Sequence, residues 1–320
     1  MPTRRHFALS LAASPLVGLG PWIGAHAQGS QKPITVVVPY PPGGSSDILG
    51  RAFANELALR VKETVIVENR AGGSGTIGAS YVAGMPGDGR TMLYTLGNLL
   101  LNQEFLLSGV SFRPLQSLTP LAKTCDLRVA MVAAANHPAN DLREFIAMAK
   151  RDPGKHSFAY YGDLGVVSMA IEAGINLMRV PYKGGPPGLI DVVAGNVDII
   201  ASSLTQALPL LQSGKLKLLA VMTDDRWAEF PKTPTVKEVL PRYQAVDYQG
   251  IFLPANTSKP VIDVLWKATS AVFQKPEYRR VLSERGAIPA ALGPEEFKRY
   301  VLADHENIKR VVATAGIQPE

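Results

Sequence analysis

The feature that most limits the fold is a regular alternation of short β-branched runs with amphipathic runs, joined by glycine loops. Residues 34–39 read as a buried strand. Residues 46–59 read as a helix, with Ile48, Leu49, Ala52, Phe53 and Leu57 on one face, and 65–68 as a second strand. A glycine-rich loop and a helix over about 76–83 follow, and Gly87-Asp88-Gly89 turns the chain into a third strand over 91–95. Such a β-α-β-α-β opening predicts a largely parallel sheet with helices on both faces.

The middle of the chain repeats the style. Asp141 is placed to cap a helix whose apolar stripe is Leu142, Phe145, Ile146 and Ala149. A strand over 157–161 runs into Gly162-Asp163-Leu164-Gly165, followed by a short helix over 166–173. A strand over 177–181 enters the loop Tyr182-Lys183-Gly184-Gly185-Pro186-Pro187, with a helix from about 188 to 194. Strands over 197–201 and 216–222 flank a helix over 206–212, and a last strand spans 246–253. Helices then start near Ser258, Pro276 and Pro294. The expectation is two α/β lobes, one from residues 28–133 with 247–320 and the other from 134–246. Two crossings, near 130–136 and 243–249, would form a hinge beneath an interlobe cleft. Open α/β sheets bind ligands at the carboxyl ends of their strands, which here would face that cleft.

Residues 1–27 stand apart. Arg4-Arg5 precede an apolar stretch over 7–23 that closes with Ala25-His26-Ala27, the pattern of a secretory signal with an A-x-A cleavage site. The paired arginines, with an apolar stretch diluted by Gly18, Gly20 and Pro21, favour twin-arginine export over the general route. The alternative is a general signal that happens to hold two arginines. The net charge of +6 falls to +4 without Arg4 and Arg5, and no basic run follows, so nucleic acid is not indicated. Beyond residue 27 no apolar stretch approaches the roughly 20 residues of a membrane helix. Cys125 is the only cysteine, so an intramolecular disulfide is ruled out and a small buried apolar role is expected.

The stretch VVVPYPPGGSSDIL, residues 36–49, carries the candidate binding chemistry. A helix start leaves about four backbone N–H groups without partners and adds roughly half a positive charge from the macrodipole. Gly43 and Gly44 let a ligand approach the backbone, and Ser45 and Ser46 add hydroxyl donors, which together make an anion site of neutral groups. Taken alone, the stretch reads equally well as a proline-rich turn with an N-cap, and Asp47 reads as a cap. Gly162-Asp163-Leu164-Gly165-Val166-Val167-Ser168 looks like the same device in the second lobe. Asp163 either caps the helix that follows or faces an amino or hydroxyl group of a ligand. Tyr182 and Lys183 open a loop within reach of the cleft.

A rival signal is Gly73-Ser74-Gly75-Thr76-Ile77-Gly78, which fits G-x-G-x-x-G between a strand and a helix and suggests a dinucleotide. The following strand ends in Leu96-Gly97-Asn98 and has no acid there to hold a ribose. Glycines for tight strand–helix packing explain the motif better. His137, His156 and His305 show no metal-ligand spacing, and Ser74 misses G-x-S-x-G at its last position. No cofactor, metal or catalytic residue is therefore expected, and the chain reads as a binding protein rather than an enzyme. The other-class alternative is a twin-arginine-exported oxidoreductase with a dinucleotide at 73–78. A sensor component that presents ligand to a membrane partner is a third.

Several motifs together resemble the Bug family, the periplasmic substrate-binding proteins of tripartite tricarboxylate transporters. They are Val38-Pro39-Tyr40-Pro41-Pro42-Gly43-Gly44 with Asp47, Val67-Glu68-Asn69-Arg70 with its glycines, and Asp88-Gly89-Arg90-Thr91-Met92-Leu93. Val180-Pro181-Tyr182-Lys183-Gly184-Gly185 with Asp191, Val197 and Asp198, and Pro294-Glu295-Glu296-Phe297, complete the set. The resemblance implies a two-lobe type II periplasmic-binding fold that closes like a flytrap, a small organic acid as ligand, membrane permease subunits as partners, a monomer, and a periplasmic location. It implies a carboxylate pinched between the first loop and the loop after the 157–161 strand. Carried over, it points to Tyr40, Gly43, Gly44, Ser45 and Ser46, to Gly162, Asp163, Gly165 and Val166, and to Asn98 on the wall. The second loop departs from the family's serine- and glycine-rich pattern: Tyr160-Tyr161-Gly162-Asp163-Leu164 stands there, and the next helix looks short. With an acid in the pincer, a ligand with an amine or several hydroxyls, or an aromatic acid stacked on Tyr161, is expected over a plain dicarboxylate.

Overall fold

The computed structural model describes residues 32–108, 112–243, 247–315 and 318–319, so the segment read as an export signal lies outside the described residues. Strand β1 (Ile34–Val38) leads through the proline–glycine loop into helix α1 (Ser45–Val61). Strand β2 (Val65–Asn69), helix α2 (Thr76–Ala83), strand β3 (Thr91–Leu96) and helix α3 (Gly97–Leu106) follow. The short helix α4 (Pro114–Ser117) leads into β4 (Leu118–Leu127) and β5 (Val129–Ala134). Next come α5 (Leu142–Arg151), β6 (Ser157–Tyr160), α6 (Gly165–Ala173), β7 (Met178–Pro181), α7 (Gly185–Ala194), β8 (Ile199–Ser203), α8 (Leu204–Gln212) and β9 (Leu216–Val221). The chain ends with α9 (Val236–Val239), β10 (Tyr248–Pro254), α10 (Lys259–Phe273), α11 (Pro276–Glu284), β11 (Ala287–Leu292) and α12 (Pro294–Ala315).

The strands form two sheets. The first has the order β11-β4-β10-β3-β1-β2, with β1 parallel to β2 and β3 and with β10 antiparallel to β3 and β4. The second has the order β7-β6-β8-β5-β9, with β6 parallel to β7 and β8 and with β5 antiparallel to its neighbours. The β-α-β runs predicted from hydrophobic spacing are the parallel parts of both sheets. The antiparallel parts come from strands that return from elsewhere in the chain.

Helix α1 is laid flat on the first sheet by its apolar stripe. Leu49, Phe53 and Leu57 are fully buried against Val36, Val38 and Tyr94. Each such side chain contributes about 1.5–3 kcal/mol relative to exposure. Gly50 sits where an added Cβ would lie 3.3 Å from both Tyr94 and Val38, so helix and sheet touch at backbone distance. This seating fixes the start of α1 at the carboxyl end of β1. The last helix covers the other face, where Phe297 meets Phe252 and Tyr248 at ring-centroid distances of 5.2 and 5.9 Å.

Three boundaries differ from the sequence reading. Strand β5 pairs with β8 and β9, so it belongs to the second sheet, and the first crossing falls at Arg128 rather than near 130–136. The run 118–134 has no glycine break and one proline near its start, so nothing in it marks the change of sheet. Helix α7 starts at Gly185, with Pro186 and Pro187 in its first turn. Proline is tolerated there because first-turn N–H groups have no helical partner. The segment over 97–106, where the sequence reading placed no element, is helix α3. Its Gly97 is required, because an added Cβ would lie 2.0 Å from the Tyr248 ring.

Candidate functional site

The loop before α1 is held in shape by Asp47. Gly43 takes a positive φ of 80° and donates its N–H to Asp47 Oδ2 at 3.0 Å. Asn69 donates to Asp47 Oδ1 at 3.0 Å and to the Tyr40 carbonyl at 3.1 Å, and Arg51 pairs with Asp47 at 2.8 Å. Burial pushes the Asp47 carboxyl up, but Arg51, the Gly43 N–H and Asn69 outweigh it and hold the group below the usual carboxylate range. Asp47 therefore serves the loop rather than a ligand, as its position in the first turn suggested. Tyr40 is buried, with its hydroxyl 3.1 Å from Thr95 Oγ1.

Ser45 and Ser46 are buried at the helix start and share one partner. Ser46 Oγ donates to Gln249 Oε1 at 3.0 Å, and Gln249 Nε2 donates to Ser45 Oγ at 3.4 Å. The Ser45 oxygen thus accepts from Gln249 and keeps its own proton. Ser45 lines a small cavity with Tyr161, Asp163, Ser203, Gln206 and Asp247, closed by Leu96, Leu99, Leu127 and Val129. The enclosed space is only about 10 Å³, around the room one water needs.

The second loop is not the mirror image that the sequence suggested. Asp163, 8 % exposed, accepts from the Gly165 N–H at 2.9 Å and also from the Val166 N–H. Its carboxylate occupies the start of α6 where a ligand carboxylate was expected, so Gly165 and Val166 are spoken for. Asp163 caps its helix and lines the cavity at once, so the two roles left open by the sequence coincide.

Helix α3 holds the second loop, the loop before α2 and the residue before β10. Asn98 donates to Asp247 Oδ1 at 2.5 Å, Asn102 donates to the Gly162 carbonyl at 3.1 Å, and Gln103 donates to the Ser74 carbonyl at 2.9 Å. Gly162 has a φ of 97°, and a Cβ there would lie 2.9 Å from Ser74. On the other flank, a Cβ on Gly184 would lie 2.6 Å from Pro41. The loops therefore touch at both places.

The acids face one another. Burial pushes Asp163 up against the pull of its two N–H donors. Burial, then the charge of Asp163, pushes Asp247 up further, against the Asn98 hydrogen bond. A second cavity of about 40 Å³ also touches Asp163 and is lined by Asn98, Asn102, Ser168, Asp304 and Asn307. Burial raises Asp304 to about 6, against the Tyr248 hydroxyl, His305 and Lys123. Among the described residues no lysine or arginine lines either cavity.

Of the residues the sequence singled out, Ser45, Tyr161 and Asp163 line the first cavity and Asn98, Asp163 and Gly165 the second, while Tyr40, Gly43, Gly44, Ser46, Gly162 and Val166 line neither. Tyr161 donates its hydroxyl to the Ala201 carbonyl at 2.8 Å, so its ring is a fixed wall. Tyr182 stands apart: it donates to Asp191 on α7 and lines neither cavity. The sequence reading missed Asp247, Gln249, Asn102 and Asp304. The first two arrive on and just before β10, and the others on helices whose inward face only packing defines.

The G-x-G-x-x-G loop finds its role in packing. A Cβ on Gly78 would lie 2.8 Å from Pro39 and 2.9 Å from the Arg70 carbonyl. A Cβ on Gly75 would lie 3.1 Å from Tyr40 and 3.2 Å from Gln103. The space before α2 is filled by protein.

Two mixed sheets, each with helix starts aimed at a shared cleft, define the two-lobe periplasmic-binding-protein fold. The comparisons agree. The solved periplasmic binding protein BugD is 27% identical, with a TM-score of 0.83 over 90% of this chain and 99% of its own. An R. palustris protein solved with adipate is 28% identical, with a TM-score of 0.85 over 90% of this chain and 98% of its own. A UPF0065 protein from the tcbD-tcbE intergenic region of a Pseudomonas species is 31% identical over 280 residues, 85% of this chain and 82% of its own. The sequence profile for the tripartite tricarboxylate transporter family receptor, TctC, matches residues 49–317. The chain belongs to that family, as a Bug-type receptor.

Proposed function

We propose that the chain is an exported solute receptor that captures a small carboxylate-bearing solute between its lobes and presents it to membrane permease subunits. The observation that carries this reading is the buried start of α1. There Ser45 and Ser46, locked by Gln249, present first-turn N–H groups and one hydroxyl proton beside the cavity. Charge-assisted bonds of this kind contribute about 1.5–3 kcal/mol each, so three supply about 5–9 kcal/mol before ordering costs, and contacts to the rest of the solute must supply the remainder of the roughly 8 kcal/mol of micromolar binding. The family match and the relative solved with adipate support the ligand class. Tyr40, Gly43 and Gly44 shape the cradle, and Tyr161, Gly162, Asp163, Asn98, Gly165 and Val166 close it. Capture without turnover, a monomer, and periplasmic delivery through the segment over 1–27 complete the proposal. Fractionation of cells for the processed chain tests the last point.

The test of binding is a thermal-shift screen against organic acids, amino acids and aromatic acids. A ligand at ~100 times its dissociation constant adds about 2.7 kcal/mol of stability. Gly44 has an ordinary φ of −73°, so Gly44→Val is tolerated by the backbone while its branches crowd the cradle and Pro186, 3.8 Å from a Cβ there. The variant is expected to lose the shift and keep its unliganded melting temperature. A normal response from Gly44→Val contradicts the assignment.

A further inference from the structure

A surface groove of about 450 Å³ opens between α6 and α12, outside the two inner cavities of about 10 and 40 Å³. Its volume falls in the range of small-molecule sites, about 300–1,000 Å³. Helix α6 joins β6 to β7 in the second sheet, and Phe297 of α12 packs on Tyr248 and Phe252 in the first. The groove therefore lies where the lobes meet.

Its lining is apolar below and charged at the rim. Ile171 is 46 % exposed, although Val166, Val167, Met169 and Ala170 on the same helix are buried. A single exposed isoleucine needs no explanation. Here, however, it shares a groove with Val311 and Tyr243. The charges do not balance. Glu172 is answered by Arg242, whose backbone N–H donates to it at 2.8 Å and whose Nε lies at 3.8 Å. Arg310 lines the same groove, bonds only to Asn307 Oδ1 at 3.4 Å, and has no carboxylate partner among the described residues. Two arginines and one glutamate leave one positive charge over an apolar floor.

We propose that this groove is a second ligand site, for an amphipathic monocarboxylate. Its carboxylate pairs with Arg310, and its apolar body lies on Ile171, Val311 and Tyr243. The guanidinium fork matches a carboxylate in shape. An exposed ion pair adds little affinity alone, so burial of the body supplies most of it. Affinity should then grow with chain length, by up to about 4-fold for each methylene buried. Such an occupant touches both lobes at once. The site stands independently of what fills the inner cavities.

The test is titration calorimetry of the purified protein with hexanoate, octanoate and decanoate, with octan-1-ol and octylammonium as the neutral and cationic controls. The expected result is saturable binding of octanoate to one site, tighter for decanoate and weaker for hexanoate, with both controls weaker than octanoate. Ile171→Glu removes apolar surface and repels the carboxylate, and is expected to weaken octanoate at least 10-fold. Arg310→Gln is expected to weaken octanoate about 3- to 5-fold and to leave octan-1-ol unchanged. Both positions are exposed, so both variants are expected to keep the native melting temperature. No octanoate binding overturns the proposal. Octan-1-ol or octylammonium binding as tightly as octanoate overturns the charge assignment. Octanoate binding that Gly44→Val abolishes, and that Ile171→Glu and Arg310→Gln leave unchanged, belongs to the start of α1 and overturns the second site while supporting the first.

Discussion

Asn98 on α3 donates to the carboxylate of Asp247 at 2.5 Å, across nearly half the chain. The bond joins a helix start in the first β-α-β run to the residue just before β10. The backbone of Asp247 also accepts from the Leu127 N–H at 2.8 Å, beside the first crossing between the sheets. One residue thus ties the crossing to the cavity wall.

Removal of that donor has a defined cost. Asn98→Ala leaves Asp247 without its side-chain donor. A hydrogen bond to a charged group contributes about 1.5–3 kcal/mol. Asp247 is pushed up to about 8, so urea unfolding at pH 9.5 is expected to show a loss of that order, and a smaller one at pH 5, where Asp247 is protonated. Equal losses at both values would contradict the charged role.

The raised carboxyls set the pH dependence of the unliganded protein. Asp163, Asp247 and Asp304 all bind protons more tightly folded than unfolded, mainly because they are buried. In the interval above the ordinary carboxylate value near 3.9, the folded state therefore holds more protons, and stability falls as pH rises. The tyrosines facing them, Tyr40, Tyr161 and Tyr243, are all pushed up by burial and stay neutral over that interval, so none reverses the slope. Asp198 acts in the opposite sense only in acid. There burial is outweighed by hydrogen bonds from His137 and Ser157, so its stabilising charge is lost below the ordinary range. The melting temperature is expected to peak near pH 5 and fall towards pH 8, and Asp247→Asn is expected to flatten the decline. A rise from pH 5 to 8 would refute this.

Gly162 tests the contact between loops. Alanine there meets Ser74 at 2.9 Å in a backbone conformation that disfavours a Cβ. Gly162→Ala is expected to weaken solute binding at least 10-fold by calorimetry. Adding Ser74→Gly is expected to recover the steric part of the loss and leave the part due to backbone strain. No recovery would mean that Ser74 is not the obstacle.

Cys125 is fully buried, and burial pushes its thiol up to about 12. The thiolate is the reactive form. The native protein is expected to resist a thiol reagent such as DTNB at pH 8 and to react with one equivalent in denaturant. Rapid reaction in the native state would contradict the packing around β4.

Much of this was legible in the sequence, and the remainder was not for physical reasons. The β-α-β runs announce themselves because one apolar face repeats at strand or helix spacing, as with Leu49, Phe53 and Leu57. The turn and helix start at Gly43–Ser46 were legible because glycine, proline and serine have local roles. Helix α3 was hidden because Leu99-Leu100-Leu101 are buried on every side and carry no amphipathic stripe. The change of sheet at Arg128 was hidden because β4 and β5 are continuous in composition. Asp247 and Gln249 were hidden because β10 returns from more than 150 residues beyond β3, and only pairing between strands brings them to Asn98 and Ser46. Asp163 was legible as a candidate cap of its helix, but that the same carboxylate also lines the cavity follows only from packing.

The most direct measurement is a crystal structure of the protein with its solute bound. The account predicts a solute carboxylate within hydrogen-bond distance of the Ser45 and Ser46 N–H groups, with Asp163 still capping α6. A solute seated away from the start of α1, or an acid group held at Gly165 with Asp163 displaced, would contradict it.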